Sequence, residues 1–146
     1  MEDTDRKIVS LLARNGRMSF TELARQAGLS VSAVHQRVRR LEQDGVIKGY
    51  AAVFNPEDVG LPLTAFVSVK PFDAAAPDDL PQRLERLAAI EACHSVAGDE
   101  NYILKVRVPS PAALEELLYQ IRTLGGVSTR TTVVLSTPYE NRPPNL

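Results

Sequence analysis

Four side chains, Ser32, His35, Gln36 and Arg39, recur at spacings of three, one and three residues, which sets them side by side on one flank of a helix. The opposite flank of that stretch carries Val31, Val34, Val38 and Leu41 at spacings of three, four and three. A helix built this way turns its aliphatic side to its own domain and offers hydroxyl, imidazole, amide and guanidinium groups outward. Ser, Gln and Arg side chains can hydrogen-bond base edges in the major groove of duplex DNA. Arg37, Arg40 and Lys48 lie at the flanks or beyond the end of the same stretch and are expected to neutralise phosphates. The bland alternative is a solvated amphipathic helix whose arginines serve solubility.

The elements needed to position such a helix precede it directly. Ile8, Leu11 and Leu12 give a first apolar periodicity, preceded by Asp3 and Asp5, where a helix N-terminus favours negative charge. Asn15-Gly16 is expected to close that helix on a left-handed glycine. Ser19-Phe20-Thr21-Glu22 reads as a capping box for a second helix with Leu23, Ala24 and Ala27 on its buried stripe. Gly28 stops it, and only Leu29 separates that glycine from Ser30, the expected N-cap of the third helix. Two helices joined by so short a glycine-containing turn, the second with a polar outer face, describe a helix-turn-helix.

Charge divides the chain in the same place. Residues 1–50 hold nine basic and six acidic side chains, a net of +3, whereas residues 51–146 hold eight basic and twelve acidic, a net of −4. The basic front is the part expected to meet a polyanion. No run approaches the ~18 apolar residues of a membrane span, and the acidic start Met1-Glu2-Asp3-Thr4-Asp5 is unlike a secretory signal. The single cysteine, Cys93, is expected to be a small buried residue, and no Cys/His spacing suggests a metal site. The expectation is a cytoplasmic protein without cofactor or metal.

The run from Ser19 to Tyr50 closely resembles the leucine-responsive and asparagine-operon regulators, the Lrp/AsnC or feast/famine family. The resemblance rests on Leu23-Ala24, Gly28-Leu29-Ser30, Arg37-Val38, Leu41-Glu42 and Asp44-Gly45-Val46-Ile47-Lys48-Gly49-Tyr50. It implies that Ser30 to Arg40 is the recognition helix, in a winged-type helix-turn-helix at residues 1–50.

Val46 to Phe54 is apolar-rich and suits a strand, and Asn55-Pro56 and Gly60-Leu61-Pro62 are turn signals. Residues 51–62 are therefore read as a strand-containing linker, and 63–146 as a second domain. There Thr64 to Lys70 alternates, Leu80, Leu84, Leu87 and Ala88 follow helical spacing, and Cys93 to Ala97 suits a strand. Tyr102 to Val108 alternates again, Ser110-Pro111 opens a helix with Leu114, Leu117, Leu118 and Ile121, and Thr129 to Ser136 is rich in β-branched residues. Strand, helix, strand thus occurs twice, βαββαβ, giving an α+β protein whose second domain is a ferredoxin-like sandwich with a four-stranded antiparallel sheet. One sheet face is left bare, with Phe66 and Ile103 among polar neighbours, and asks for a second copy across a twofold axis.

Between the middle strands, Gly98-Asp99-Glu100-Asn101 offers two carboxylates, an amide and exposed backbone, groups that suit an amino-acid zwitterion. Gly, Asp and Asn are equally ordinary turn formers. By resemblance, Val96 to Tyr102 is the family's effector loop, lying between dimers that commonly assemble into octamers. Many members carry an acidic residue where this chain has Asn101, and Glu100 stands beside it. The effector site is thus expected at Gly98, Asp99, Glu100, Asn101 and Tyr102, with Thr131 and Thr132 of the last strand lining the same pocket.

No nucleophile elbow, phosphate-binding glycine loop or zincin signature is present, and Cys93 and His94, as strand neighbours, point to opposite faces. The reading is a regulator that binds double-stranded DNA, assembles from dimers and responds to a small molecule, an amino acid, and is not an enzyme. Two rivals stand beside it: an architectural DNA-binding protein whose second domain only oligomerises, and a small ferredoxin-like enzyme using Asp99 and Glu100 as acid and base.

Overall fold

The computed structural model describes residues 1–146, which form two compact units: Met1–Val53 with Pro138–Leu146, and Phe54–Thr137. The last nine residues therefore group with the helical unit and not with the 63–146 stretch expected from sequence.

The helical unit holds α1 (Asp3–Arg14), α2 (Phe20–Ala27) and α3 (Val31–Gln43). Ile8, Leu12, Leu23, Ala24, Val34, Val38 and Leu41 bury together between them. Asp5 continues the stripe of Ile8 and Leu12 by one turn and is itself only 4% exposed. The first helix does not close on a left-handed glycine. Asn15 ends it in an extended conformation, its side-chain Oδ1 accepts from Arg17 N at 3.0 Å, and Gly16 has no positive φ. An Asx turn, in which the side chain replaces a backbone acceptor, does the work expected of the glycine. Val31, expected on the buried side of α3, is the first residue of the helix and is 46% exposed.

Val46 to Phe54 forms no strand. Its composition suits one, but strand structure requires a ladder partner, and this segment pairs with no strand of the sheet. The linker at 51–62 thus contains no strand.

In the second unit, β1 (Leu63–Pro71), β2 (Ile90–Ser95), β3 (Tyr102–Val108) and β4 (Val127–Val133) make one antiparallel sheet in the order β2-β3-β1-β4. With α4 (Leu80–Leu84) and α5 (Pro111–Gly125), this is the expected βαββαβ order. Ala65, Val67, Val69, Tyr102, Leu104, Val106 and Val108 supply the buried face, and Leu114, Leu117 and Ile121 of α5 pack in the same core. Gly125 permits the close approach of α4, since a Cβ there would stand 2.8 Å from Leu80 Cδ1.

Three boundaries differ from expectation. The helical spacing through Ala88 gives only the five residues of α4, followed by turns in which Leu87 N donates to Leu84 O and Ile90 N to Leu87 O, both at 2.9 Å. Leu87 still packs on the core, so the spacing marked burial rather than continuous helix. β2 starts earlier than Cys93 and ends at Ser95, because Val96 N turns to Asn101 O at 3.0 Å. β4 spans Val127–Val133 and not Thr129 to Ser136, because its partner runs out: Ala65 pairs with Val133, and a last bond joins Val134 N to Thr64 O at 2.9 Å. Cys93 is exposed, not buried, since β2 is an edge strand beside a short helix.

Candidate nucleic-acid interface and effector cleft

Local hydrogen bonds set the angle between α2 and α3. Ser19 Oγ accepts from Glu22 N at 3.1 Å, one half of the expected capping box. The other half does not form: the Glu22 carboxylate accepts from Arg25 Nε at 2.9 Å and Gln26 Nε2 at 2.6 Å, bonds that hold its pKa down to about 2. Gly28, at φ 70°, takes the left-handed conformation that ends α2 and reverses the chain. Ser30 Oγ accepts from Ala33 N at 3.2 Å and caps α3.

On α3, Val34, Val38 and Leu41 are buried, while Ser32, His35, Gln36 and Arg39 are all exposed along the other side. The Phe20 ring lies against His35, with centroids 4.9 Å apart and planes tilted by 54°. An aromatic contact of this geometry restrains the imidazole. Sequence reasoning did not assign Phe20 that role. Lys48 is exposed beyond the end of α3, where Ile47 N donates to Leu41 O at 3.0 Å and Tyr50 Oη donates to Glu42 Oε1 at 2.9 Å. Partial burial, followed by that carboxylate, pushes the Tyr50 hydroxyl up to about 12.

Arg37 and Arg40 are placed differently from Arg39 and Lys48. Arg37 Nη1 donates to Asp5 Oδ1 and to Glu2 Oε2, both at 2.8 Å, and Arg40 Nη2 donates to Asp5 Oδ2 at 2.9 Å. The Arg37 hydrogen bond outweighs the cost of burial and holds the Asp5 carboxyl below its ordinary pKa. Asp5 was expected only to complement the helix dipole. Its place three residues before Ile8 and seven before Leu12 was the signal that it would turn inward.

In the second unit, the loop after β2 is held by Asn101 N donating to Val69 O at 3.0 Å. Gly98, Asp99 and Asn101 are exposed, and Glu100 pairs with Arg130 Nη2 at 2.5 Å. Tyr102 faces the core, its hydroxyl donating to Asp78, which raises the phenol pKa. Two clefts flank the loop. One, of about 230 Å³, touches Gly98, Glu100, Asn101 and Tyr102 together with Asp78 and Ser95. The other, of about 160 Å³, sets Asp99 and Glu100 beside Ser68, Lys70, Ser128 and Arg130.

Thr131 and Thr132 line neither cleft. Thr131 pairs with buried Val67 and Thr132 with exposed Phe66, so adjacent threonines face opposite sides of the sheet and cannot share one pocket. The register instead brings Arg130 opposite Ser68 and Ser128 opposite Lys70. These four were missed as site residues. The alternation of β1 had placed Ser68 and Lys70 on the polar face, but which residues of β4 lie beside them depends on the pairing.

Comparison with known proteins adds a second line of observation. Residues 1–48 match the winged helix-turn-helix DNA-binding family, and residues 64–144 match the Lrp/AsnC ligand binding domain. The chain is 54% identical over 142 residues to the HTH-type transcriptional regulator LrpA of Mycobacterium tuberculosis, covering 97% of this chain and 95% of that protein. It is 39% identical over 140 residues to the leucine-responsive regulatory protein of Escherichia coli, covering 92% and 85%. Among solved structures, the feast or famine regulatory protein of M. tuberculosis complexed with L-methionine superposes with a TM-score of 0.95 at 54% identity, over 98% of this chain and 99% of that one.

Proposed function

The chain belongs to the Lrp/AsnC family of transcriptional regulators, and from that premise we propose that it reads duplex DNA through Ser32, His35, Gln36 and Arg39 and answers an amino acid held beside Gly98–Asn101. The observation that carries the first half is the division of α3: its aliphatic side is buried in its own unit while those four side chains are exposed together. Ser30 caps the helix that presents them, and Lys48 adds a phosphate contact.

For the second half, the cleft beside Asp99 and Glu100 offers both signs of charge. Lys70 and Arg130 suit a carboxylate, and Asp99 and Glu100 suit an ammonium group. A related regulator has been solved as a complex with L-methionine, which supports an amino acid of this class as the effector. Asn101 carries no charge and lines only the other cleft beside the loop.

The assembly unit is a homodimer formed on the outer sheet face, where Phe66 is 40% exposed and Ile103 lies across from Ser68. Dimers associate further, towards an octamer, and present paired helix-turn-helix heads to DNA in the cytoplasm. Effector preference for one assembly changes DNA affinity by linkage, for which a coupling of about 1–3 kcal/mol suffices.

The test is binding of the full-length chain to duplex DNA from upstream of its own coding region, with and without each of the twenty amino acids. The expected result is specific binding whose affinity shifts by about 5–150-fold with one or more amino acids, and a shift lost in Glu100→Gln/Arg130→Gln. Specific binding unmoved by any amino acid favours an architectural protein over an amino-acid-responsive one.

A further inference from the structure

Asp5 is the one charged side chain that is buried in the helical unit. A carboxylate withdrawn that far from water is tolerated only when it is fully matched. Its two oxygens are divided between two residues one helical turn apart on α3, Oδ1 with Arg37 and Oδ2 with Arg40. Glu2 completes the cluster on Arg37 from the residue just before α1.

The apolar contacts of α3 through Val34, Val38 and Leu41 are non-directional and set its distance from α1 and α2 better than its rotation. A fork of two charge-assisted hydrogen bonds one turn apart constrains both rotation and slide. The consequence is large at the opposite surface: with a helix radius of about 5–6 Å, a rotation of about 20° displaces the outward side chains by roughly 2 Å, enough to lose a bidentate bond to a base.

We propose that Asp5 is a positioning residue for the DNA-reading helix, and that Arg37 is its counter-ion and not a phosphate contact. Arg40, more exposed than Arg37, uses one nitrogen on Asp5 and keeps the remainder of its guanidinium at the surface. The inference rests on the DNA-binding function proposed above and adds a part of the machinery remote from the bases.

The experiment compares full-length wild type, Asp5→Asn, Arg37→Gln, the double variant and Lys48→Gln on the upstream duplex and on a scrambled duplex of equal length, across a salt series. Arg37→Gln is expected to leave the slope of log affinity against log salt unchanged, while Lys48→Gln lowers it by about one. Asp5→Asn and Arg37→Gln should each reduce the preference for the specific duplex by about tenfold, and the double variant should lose less than the two losses combined, as groups that share an interaction require. A slope that falls by about one in Arg37→Gln, an unchanged duplex preference in Asp5→Asn, or additive losses in the double variant would overturn the proposal. Should Asp5→Asn fail to fold, the salt slope of Arg37→Gln beside that of Lys48→Gln, together with the duplex preference of Arg37→Gln, decides the matter, and an unchanged preference there overturns the proposal. Wild type that fails to prefer the upstream duplex is a separate result, which removes the DNA-binding function for that duplex and this inference with it.

Discussion

The helical unit and the sheet unit solve the same problem, fixing a functional surface, by different means. The sheet unit buries thirteen residues in its core and aligns β1 with both β3 and β4 through long antiparallel ladders, so backbone hydrogen bonds specify register. Its ion pairs lie outside that apolar core, as in Glu91–Arg107 at 2.7 Å and Glu100–Arg130 at 2.5 Å. The helical unit has only seven buried apolar residues and no ladder between its elements. It places a charge among them instead. A sheet carries its directional contacts in the backbone, whereas helices packed on one another must find theirs in side chains.

The sharpest break of this contrast is a cavity in one core at a time. Ile8→Ala and Leu104→Ala each remove a fully buried side chain and should cost about 2–5 kcal/mol. Amide exchange should show protection lost in α1–α3 for the first variant and in β1–β4 for the second. Loss of protection in both units from either substitution would mean that the two cores unfold together.

A smaller effect, confined to the surface, comes from Gln36→Ala/Arg39→Ala. Both side chains are exposed, so the melting temperature should hold while specific DNA affinity falls by about 100-fold, from about 1–3 kcal/mol for each base contact. Unchanged affinity, measured by fluorescence anisotropy, would move the reading surface elsewhere.

Acid distinguishes the two kinds of anchor. The Asp5 carboxyl has a pKa below its ordinary value, so its contribution is complete above the unfolded value of about 4 and is lost as pH falls through the lower folded value. Asp5→Asn should therefore be less stable than wild type by about 1–3 kcal/mol at neutral pH, with the gap closing below about pH 4. Thermal melts of both proteins from neutral to acid pH measure this. A gap that stays constant would show that shape, not charge, is what Asp5 supplies.

The smallest expected effect compares the helix caps. Ser30 Oγ and Ser110 Oγ accept from Ala33 N and Ala113 N at 3.2 and 3.1 Å, so either change to alanine should cost about 1 kcal/mol. Only Ser30→Ala should also weaken DNA binding, since only that helix carries the outward polar face.

Much of this molecule is local and is therefore written in the chain. Serine caps at 19, 30 and 110, the glycine turn at 28, the period of α3 and the alternation of β1 and β3 each arise from residues within a few positions of one another, and all appear in the structure. The division of α3 into an apolar and a polar side was legible for the same reason. What required the tertiary structure was every pairing across distance: Asp5 with Arg37 and Arg40, Ser68 with Arg130, and the opposite faces taken by Thr131 and Thr132. A strand-like composition at Val46–Phe54 likewise yields no strand without a neighbour. Periodicity states which side of an element turns inward, but the partner it meets there is chosen by the packing of the whole unit.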